Sequence, residues 1–376
     1  MSIVEKCLRI KEEIVEIRRK IHRRPELGFE EYETQRLIMD YLENIGINAK
    51  EIAGTGVIGE MGSSSPRIGL RADMDALPLE EKTSLPYASE IKGRMHACGH
   101  DAHVAMLLGA AKILNDMDFD GTVRLIFQPA EEGLNGARKV IEDGGIVGLD
   151  GIEGIHVWSM MPKGVFGIRE GPLLAAVDRF VVKIKGKGGH GSAPHETVDP
   201  ILAASHYITA VNEIVSRKIS PFKSGVVSVC KIHGGNAFNI IPDEVVLEGT
   251  VRSMEEEVRK TIHRELVNYA EICKALGCEC EVNIEKINDS TVNDEEMASI
   301  AREVAKRIGY VEEAKQSMGG EDFSEYAKRI PAVFVLLGMG TNIPHHSPYF
   351  IVDEDILPLG TAFHVEFALE FLKRKI

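Results

Sequence analysis

The sequence predicts an α/β protein: a domain with a largely parallel central sheet flanked by helices, interrupted by an inserted ferredoxin-like β-α-β-β-α-β domain. Three observations predict it. Short β-branched runs alternate with stretches of helical period in both the first and the last part of the chain. The alternation changes order between about residues 177 and 288. The length of 376 residues also exceeds what one ordinary core fills, at roughly 150 residues per domain.

The elements follow in order. Ile3, Cys7, Leu8, Ile10, Ile14, Ile17 and Ile21 recur at helical spacing, and Pro25 ends the helix they predict. A second helix covers about residues 31–44 and stops at Gly46. Residues 57–61 and 68–72 read as strands, 102–114 as a helix, 122–128 and 152–158 as strands. Within the insertion the order is strand 180–185, helix 200–216, strands 226–232 and 245–251, helix 255–275 and strand 279–284. Helix 294–308, strand 332–337 and helix 359–373 then return to the first style. The predicted domains are 1–176 with 289–376, and 177–288 as a lid-like insertion.

Composition narrows the function classes. The net charge is −14 and no block of Lys and Arg occurs, so nucleic acid and acidic lipid are not expected partners. No apolar run reaches the ~18 residues that cross a bilayer. Residues 1–20 mix charges with Ile, Val and Leu and lack a signal-peptide core, which predicts a cytoplasmic address. The six cysteines follow no repeating frame and read as reduced thiols.

Residues 96–103 gather His96, Cys98, His100, Asp101 and His103, a density of imidazole and thiol that suits Zn, Mn, Co or Ni. Glu131 and Glu132 follow a strand. Two adjacent carboxylates in a dry site call for a cation, although the pair alone reads equally as an exposed acidic turn. His156 stands inside an apolar strand and, taken singly, reads as a core histidine. His345 and His346 lie in a Gly/Pro-rich loop. In the insertion, the loop 186–195 carries His190 and lacks the ending of a phosphate-binding loop, which fits an oxyanion donor better. Asn239 and Arg252 can hold a carboxylate, and Arg252 reads equally as a surface ion pair. Asp101 is placed to cap the helix that follows it.

Several ordered motifs make the chain recognisable. They include Arg23-Arg24-Pro25-Glu26-Leu27-Gly28, residues 70–78, His96 to Asp101, residues 128–133, 188–194, 239–243, 319–323 and 346–350. Over nearly its whole length the chain resembles the co-catalytic metallopeptidase family of carboxypeptidase G, aminoacylase and peptidase T. Within it, the sequence is similar to the amidohydrolase branch of hippurate hydrolases, N-acyl-amino-acid amidohydrolases, thermostable carboxypeptidases and auxin-conjugate hydrolases.

The resemblance implies two divalent ions, zinc first with manganese, cobalt or nickel as alternatives, held by Cys98, His100, Glu132, His156 and His346. It implies Glu131 as general base and acid, and His190 as an oxyanion donor reaching a partner subunit's site. Asn239 and Arg252 would hold the substrate carboxylate in a homodimer acting on N-acyl amino acids or short peptides. Where the wider family opens its metal site with a histidine, this chain reads Arg71-Ala72-Asp73, and Cys98 with His100 takes over. A narrower deacetylase, such as one for N-acetyl-diaminopimelate, shares this chemistry. A non-catalytic metal-dependent binding protein is the alternative from another class.

Overall fold

A computed structural model describes residues 1–375. The chain divides into two compact units, one of Met1–Gly171, Val292–Lys315 and the chain from Asp322 onward, the other of Pro172–Thr291 with Gln316–Glu321. The short return Gln316–Glu321, which sequence pattern assigns to the first unit, pairs with the start of the second. Ser317 N donates to Leu173 O and Ala175 N to Gly319 O, both at 3.0 Å.

The first unit is built on an eight-stranded sheet. Its order is Ala49–Ile52, Gly56–Gly62, Thr122–Gln128, Arg67–Asp73, Gly151–Trp158, Ala332–Gly338, Val165–Ile168 and Tyr310–Glu313. The four central strands, from Thr122–Gln128 to Ala332–Gly338, are mutually parallel. The hairpin Ala49–Gly62 and the strand Val165–Ile168 add antiparallel pairings outside them. Central strands covered on both faces carry continuous apolar runs, and Ala332–Gly338 is buried along its whole length. Helix His100–Asn115 is almost entirely buried and packs against Lys11–Arg23 and Leu357–Lys375. The long N-terminal helix expected from apolar spacing is two helices, Ile3–Arg9 and Lys11–Arg23, because Ile10 leaves helical geometry at φ −99° and ψ 10°.

In this sheet the central strands end at Asp73, Gln128, Trp158 and Gly338 on one edge. The loops leaving that edge are where an open α/β sheet places its chemistry.

The second unit is a four-stranded antiparallel sheet in the order Gly225–His233, Glu244–Ser253, Ala176–Lys185 and Glu279–Asn288. Ala176–Lys185 alternates buried and exposed residues, so Phe180, Val182 and Ile184 face a core shared with Tyr207, Ile262 and Leu266 of the helices. Asp199 caps the helix Pro200–Val211 by accepting from Ile201 N at 2.8 Å, with Pro200 at the first helical position. Both helical stretches of the insertion break once, at Asn212 and Tyr269. No helix among the described residues is long and apolar enough to cross a membrane.

Candidate metal centre

The donor residues are delivered by the carboxyl end of strand Gly151–Trp158, which carries His156, and by the loops at the carboxyl ends of the central strands. Gly99 starts helix His100–Asn115 at φ 94°, and a Cβ there would lie 2.4 Å from Val157 Cγ2, so only glycine lets the helix begin against strand Gly151–Trp158. That approach brings Cys98 Sγ to 3.4 Å from His156 Nε2. The segments carrying Cys98 and His346 are joined by His346 N donating to Ala97 O at 2.8 Å. His346 itself adopts φ 62°, a left-handed conformation that non-glycine residues take at a cost, and it sits 3.2 Å from Glu132 Oε1 through Nε2.

Among the donor sets that the described residues form, three share Cys98 or Glu132: Cys98 with Glu132 and His346, His100 with Glu131 and Glu132, and Cys98 with His156 and His345. Within each set the donor atoms lie within 4.8 Å of one another. Ligands around a tetrahedral cation at ~2.1 Å stand about 3.4 Å apart, which the pairs at 3.2 and 3.4 Å match. Sharing of Cys98 and Glu132 between sets makes room for two adjacent ions. Both ring nitrogens of His100 are buried and make no aligned hydrogen bond among the described residues, as atoms awaiting a ligand do. The residues present therefore fit a pair of divalent cations.

The electrostatics agree. Burial, aided by the charges of His103 and His345, holds His156 far below the usual imidazole range. Its Nδ1 donates to Val157 O at 2.7 Å, so the neutral ring turns a lone pair on Nε2 toward Cys98. Burial opposes charge on His100, yet Asp73 beside it raises that imidazole well above 6.5. Hydrogen bonds to Cys98 and Glu132 push His346 up to about 10. Thiol and carboxylates thus stabilise positive charge here whether a proton or a metal supplies it.

Some neighbours are committed elsewhere. His103 donates from Nδ1 to Asp73 at 2.5 Å and accepts at Nε2 from Val157 N at 3.0 Å, which leaves no lone pair for a metal. His345 accepts from Ser159 N at Nε2 and turns Nδ1 toward Cys98 Sγ at 3.8 Å, the arrangement of a hydrogen-bond donor to sulfur. Asp101 does not cap its helix. It is buried and accepts from Arg18 Nε and His22 Nδ1, each at 2.8 Å, so it ties this helix to Lys11–Arg23. The Arg71 guanidinium is bound by Gln128 at 2.8 Å, Asp73 at 2.7 Å and Asp322 at 3.1 Å.

Sequence reading missed Asp75, whose oxygens accept from Glu131 N at 3.0 Å and Glu132 N at 2.9 Å. The Asp73-Met74-Asp75 spacing at a strand end was its available signal.

The structure gathers Cys98, His100, Glu131, Glu132, His156 and His346. His190, Asn239 and Arg252 belong to the second unit. His190 is exposed in the pairing of Gly189–His190 with Ile240–Ile241, where its Nδ1 accepts from Ser192 N at 3.1 Å. Asn239 O accepts from Gly191 N at 2.8 Å, which keeps His190 and Asn239 together. Arg252 contacts Thr250 and the Val251 carbonyl near the far end of Glu244–Ser253. Eight residues of strand at ~3.4 Å each put about 27 Å between Glu244 and Arg252.

Residues 69–370 match the family described as Peptidase family M20/M25/M40. The chain is 43% identical to thermostable carboxypeptidase 1 of Saccharolobus solfataricus, with 99% of each chain covered. It is 42% identical to N-acetylcysteine deacetylase of Bacillus subtilis, covering 96% of this chain and 97% of that one. A solved structure described as a dinuclear metal binding peptidase of the M20 family, also from Bacillus subtilis, superposes with a TM-score of 0.88 at 38% identity, covering 98% and 99% of the two chains. With a family match over most of its length and a donor set fitted to two cations, the chain belongs to the M20/M25/M40 peptidase family and is a metal-dependent amide hydrolase.

Proposed function

We propose that the protein hydrolyses the amide bond of N-acyl amino acids and short peptides. The observation that carries the reading is the convergence of five ligand-type side chains with Glu131 directly beside them. A carboxypeptidase and an N-acetylcysteine deacetylase among the relatives both cut an amide whose nitrogen belongs to an amino acid.

In this reading Cys98, His100, Glu132, His156 and His346 hold two divalent ions, zinc first, with manganese, cobalt or nickel as alternatives. The ions supply Lewis acidity that lowers the pKa of water and polarises the carbonyl. Glu131 takes the proton of the attacking water and returns it to the departing nitrogen, so one carboxylate serves as base and then acid. Its Oε1 is held near the backbone N–H of Asp322, at 3.4 Å, which fixes the carboxylate's direction. His190 donates to the oxyanion, and Asn239 and Arg252 bind the substrate carboxylate.

The ~27 Å along strand Glu244–Ser253 supports a homodimer in which these last two come from different copies. Strand Gly225–His233 is an edge, and Phe222, Ile232, Phe238 and Ile240 of the same unit are exposed, which supports the second unit as the dimer surface. Six free cysteines support a cytoplasmic location.

The test strips metal with a chelator, restores Zn, Mn, Co or Ni singly, and assays acetyl-, benzoyl- and peptidyl-amino acids. Metal-dependent release of free amino acid is expected. No hydrolysis with any of the four metals would sink the reading.

A further inference from the structure

We propose that His345 is a positioning residue of the metal centre rather than one of its ligands: its imidazole gives an N–H to the Cys98 sulfur and so limits the charge that this sulfur lends a bound cation. The inference rests on the function proposed above.

Two adjacent histidines reach the centre, and each shares a set of possible donors with Cys98. The backbone separates them. His346 N donates to Ala97 O at 2.8 Å, and the left-handed φ of 62° leaves its ring 3.2 Å from Glu132 Oε1. His345 is held instead by the chain that leaves strand Gly151–Trp158. Ser159 N donates to its Nε2 at 3.3 Å. Ser159 O in turn accepts from Asn342 N at 3.0 Å, and Trp158 O from Met339 N at 3.0 Å, so the loop that carries His345 is laced to residues 158 and 159. The rings of Trp158 and Phe350 lie against the imidazole, each with 5.0 Å between centroids.

The Ser159 N–H decides the tautomer. A backbone N–H can only donate, so Nε2 of His345 offers a lone pair and the neutral ring carries its proton on Nδ1. Nδ1 is the atom that stands 3.8 Å from Cys98 Sγ. For His345 to bind a cation through Nδ1, the proton would have to move to Nε2, where it would face the Ser159 N–H donor to donor. The two rings that meet the sulfur therefore differ in kind: His156 turns a lone pair toward it at 3.4 Å, and His345 an N–H.

A thiolate lends a cation more charge than an imidazole does, which weakens the cation as a Lewis acid. A hydrogen bond into the sulfur draws part of that charge back, and a donor to an ionised acceptor is the stronger kind. His345 thus offsets the cost of a sulfur ligand in a centre that has to polarise a carbonyl.

The experiment titrates Co²⁺ alone into chelator-stripped wild type, His345→Phe and His345→Asn. It records the number of ions bound, their affinity and the near-ultraviolet sulfur-to-cobalt charge-transfer band. Phenylalanine keeps a ring for Trp158 and Phe350 and has no N–H, whereas asparagine can place an N–H close to where Nδ1 stood. His345→Phe should bind as many ions as wild type, with affinity weaker by roughly 10–100-fold. Its band should move to longer wavelength, because a more electron-rich sulfur gives up charge more readily. His345→Asn should bring band and affinity back toward wild type, a recovery that a purely structural ring would not show. His345→Leu takes the place of the phenylalanine variant if that one does not fold. A band at the wild-type wavelength in the variant without an N–H overturns the proposal, as does an asparagine variant that behaves like it. Loss of one bound ion would make His345 a ligand, and absence of the band from wild type would remove Cys98 from the centre; either result also sinks the idea. If the band shifts as expected while wild type hydrolyses no N-acyl amino acid, the proposed function fails and the role of His345 stands.

Discussion

The carboxyl edge of the first unit's sheet and the glycine-rich loops of the second carry the same residue types at opposite levels of organisation. His100, His103 and His156 are buried, and their neighbours are side chains and backbone groups of the same unit. His190 is exposed, its ring bonds Ser192 two residues on, and Phe238 beside Asn239 is fully exposed. A burial-fixed group can be aimed to within tenths of an ångström before substrate arrives. An exposed loop group acquires its geometry only against a second surface. Changes at the first region should therefore disturb metal or proton handling, and changes at the second should disturb turnover without disturbing metal.

The largest effect is expected at Glu131. Glu131→Gln keeps the backbone contact with Asp75, so both metal ions should remain by elemental analysis. Turnover should fall by at least about 10³-fold, within the range assigned to a proton carrier. Near-normal activity in a metal-replete variant would remove Glu131 from the mechanism. His190→Ala comes next, with kcat lower by about 10²–10³-fold as for loss of an oxyanion donor, and metal content and stability unchanged. Loss of metal in that variant would break the contrast between the two regions.

Much of this architecture was legible in the sequence, for reasons that differ by element. Thr122–Gln128 and Gly151–Trp158 are buried on both faces, so their apolar runs stand out without alternation. Gly46 at φ 84° marks a helix end because few other residues take that conformation. Ala49–Ile52 and Tyr310–Glu313 passed unnoticed, being short, mostly exposed and at the sheet's two edges. The density around His96–His103 announced a metal centre. The resemblance and not the spacing singled out Cys98 and His100, since the commitment of His103 to Asp73 and of Asp101 to Arg18 depends on residues 30 and 83 positions away. His345 and His346 are adjacent in sequence, and only the left-handed backbone at His346 separates their roles.

A third prediction tests whether the second region completes a site across copies. Asn239→Ala and Arg252→Ala should each lower kcat/KM by roughly 10–100-fold, the worth of a hydrogen bond to a charged group. Co-refolding the two variants in equal amounts should restore activity to about a quarter of wild type, because half the dimers are mixed and half their sites are intact. No recovery would place both residues in one copy's site or outside any site.

The smallest effect concerns Glu31, the acceptor for the Ala130 N–H. Burial, opposed by the Thr55 hydroxyl and reinforced by the charge of Asp75, raises the Glu31 carboxyl to about 7. A folded-state pKa above the usual 4.5 means that the native state keeps a proton the unfolded chain releases between about pH 4.5 and 7. Glu31's contribution to stability is therefore fully present below that window, declines as pH rises through it and is level above. Glu31→Gln retains an acceptor for the Ala130 N–H and has no proton to lose. In urea unfolding of the metal-free protein at pH 5, 6, 7 and 8, wild type should lose on the order of 2 kcal/mol relative to the variant across the window. Parallel curves would show that this carboxyl titrates normally. The buried centre would then lack one of the strained charges that set it apart from the exposed loops.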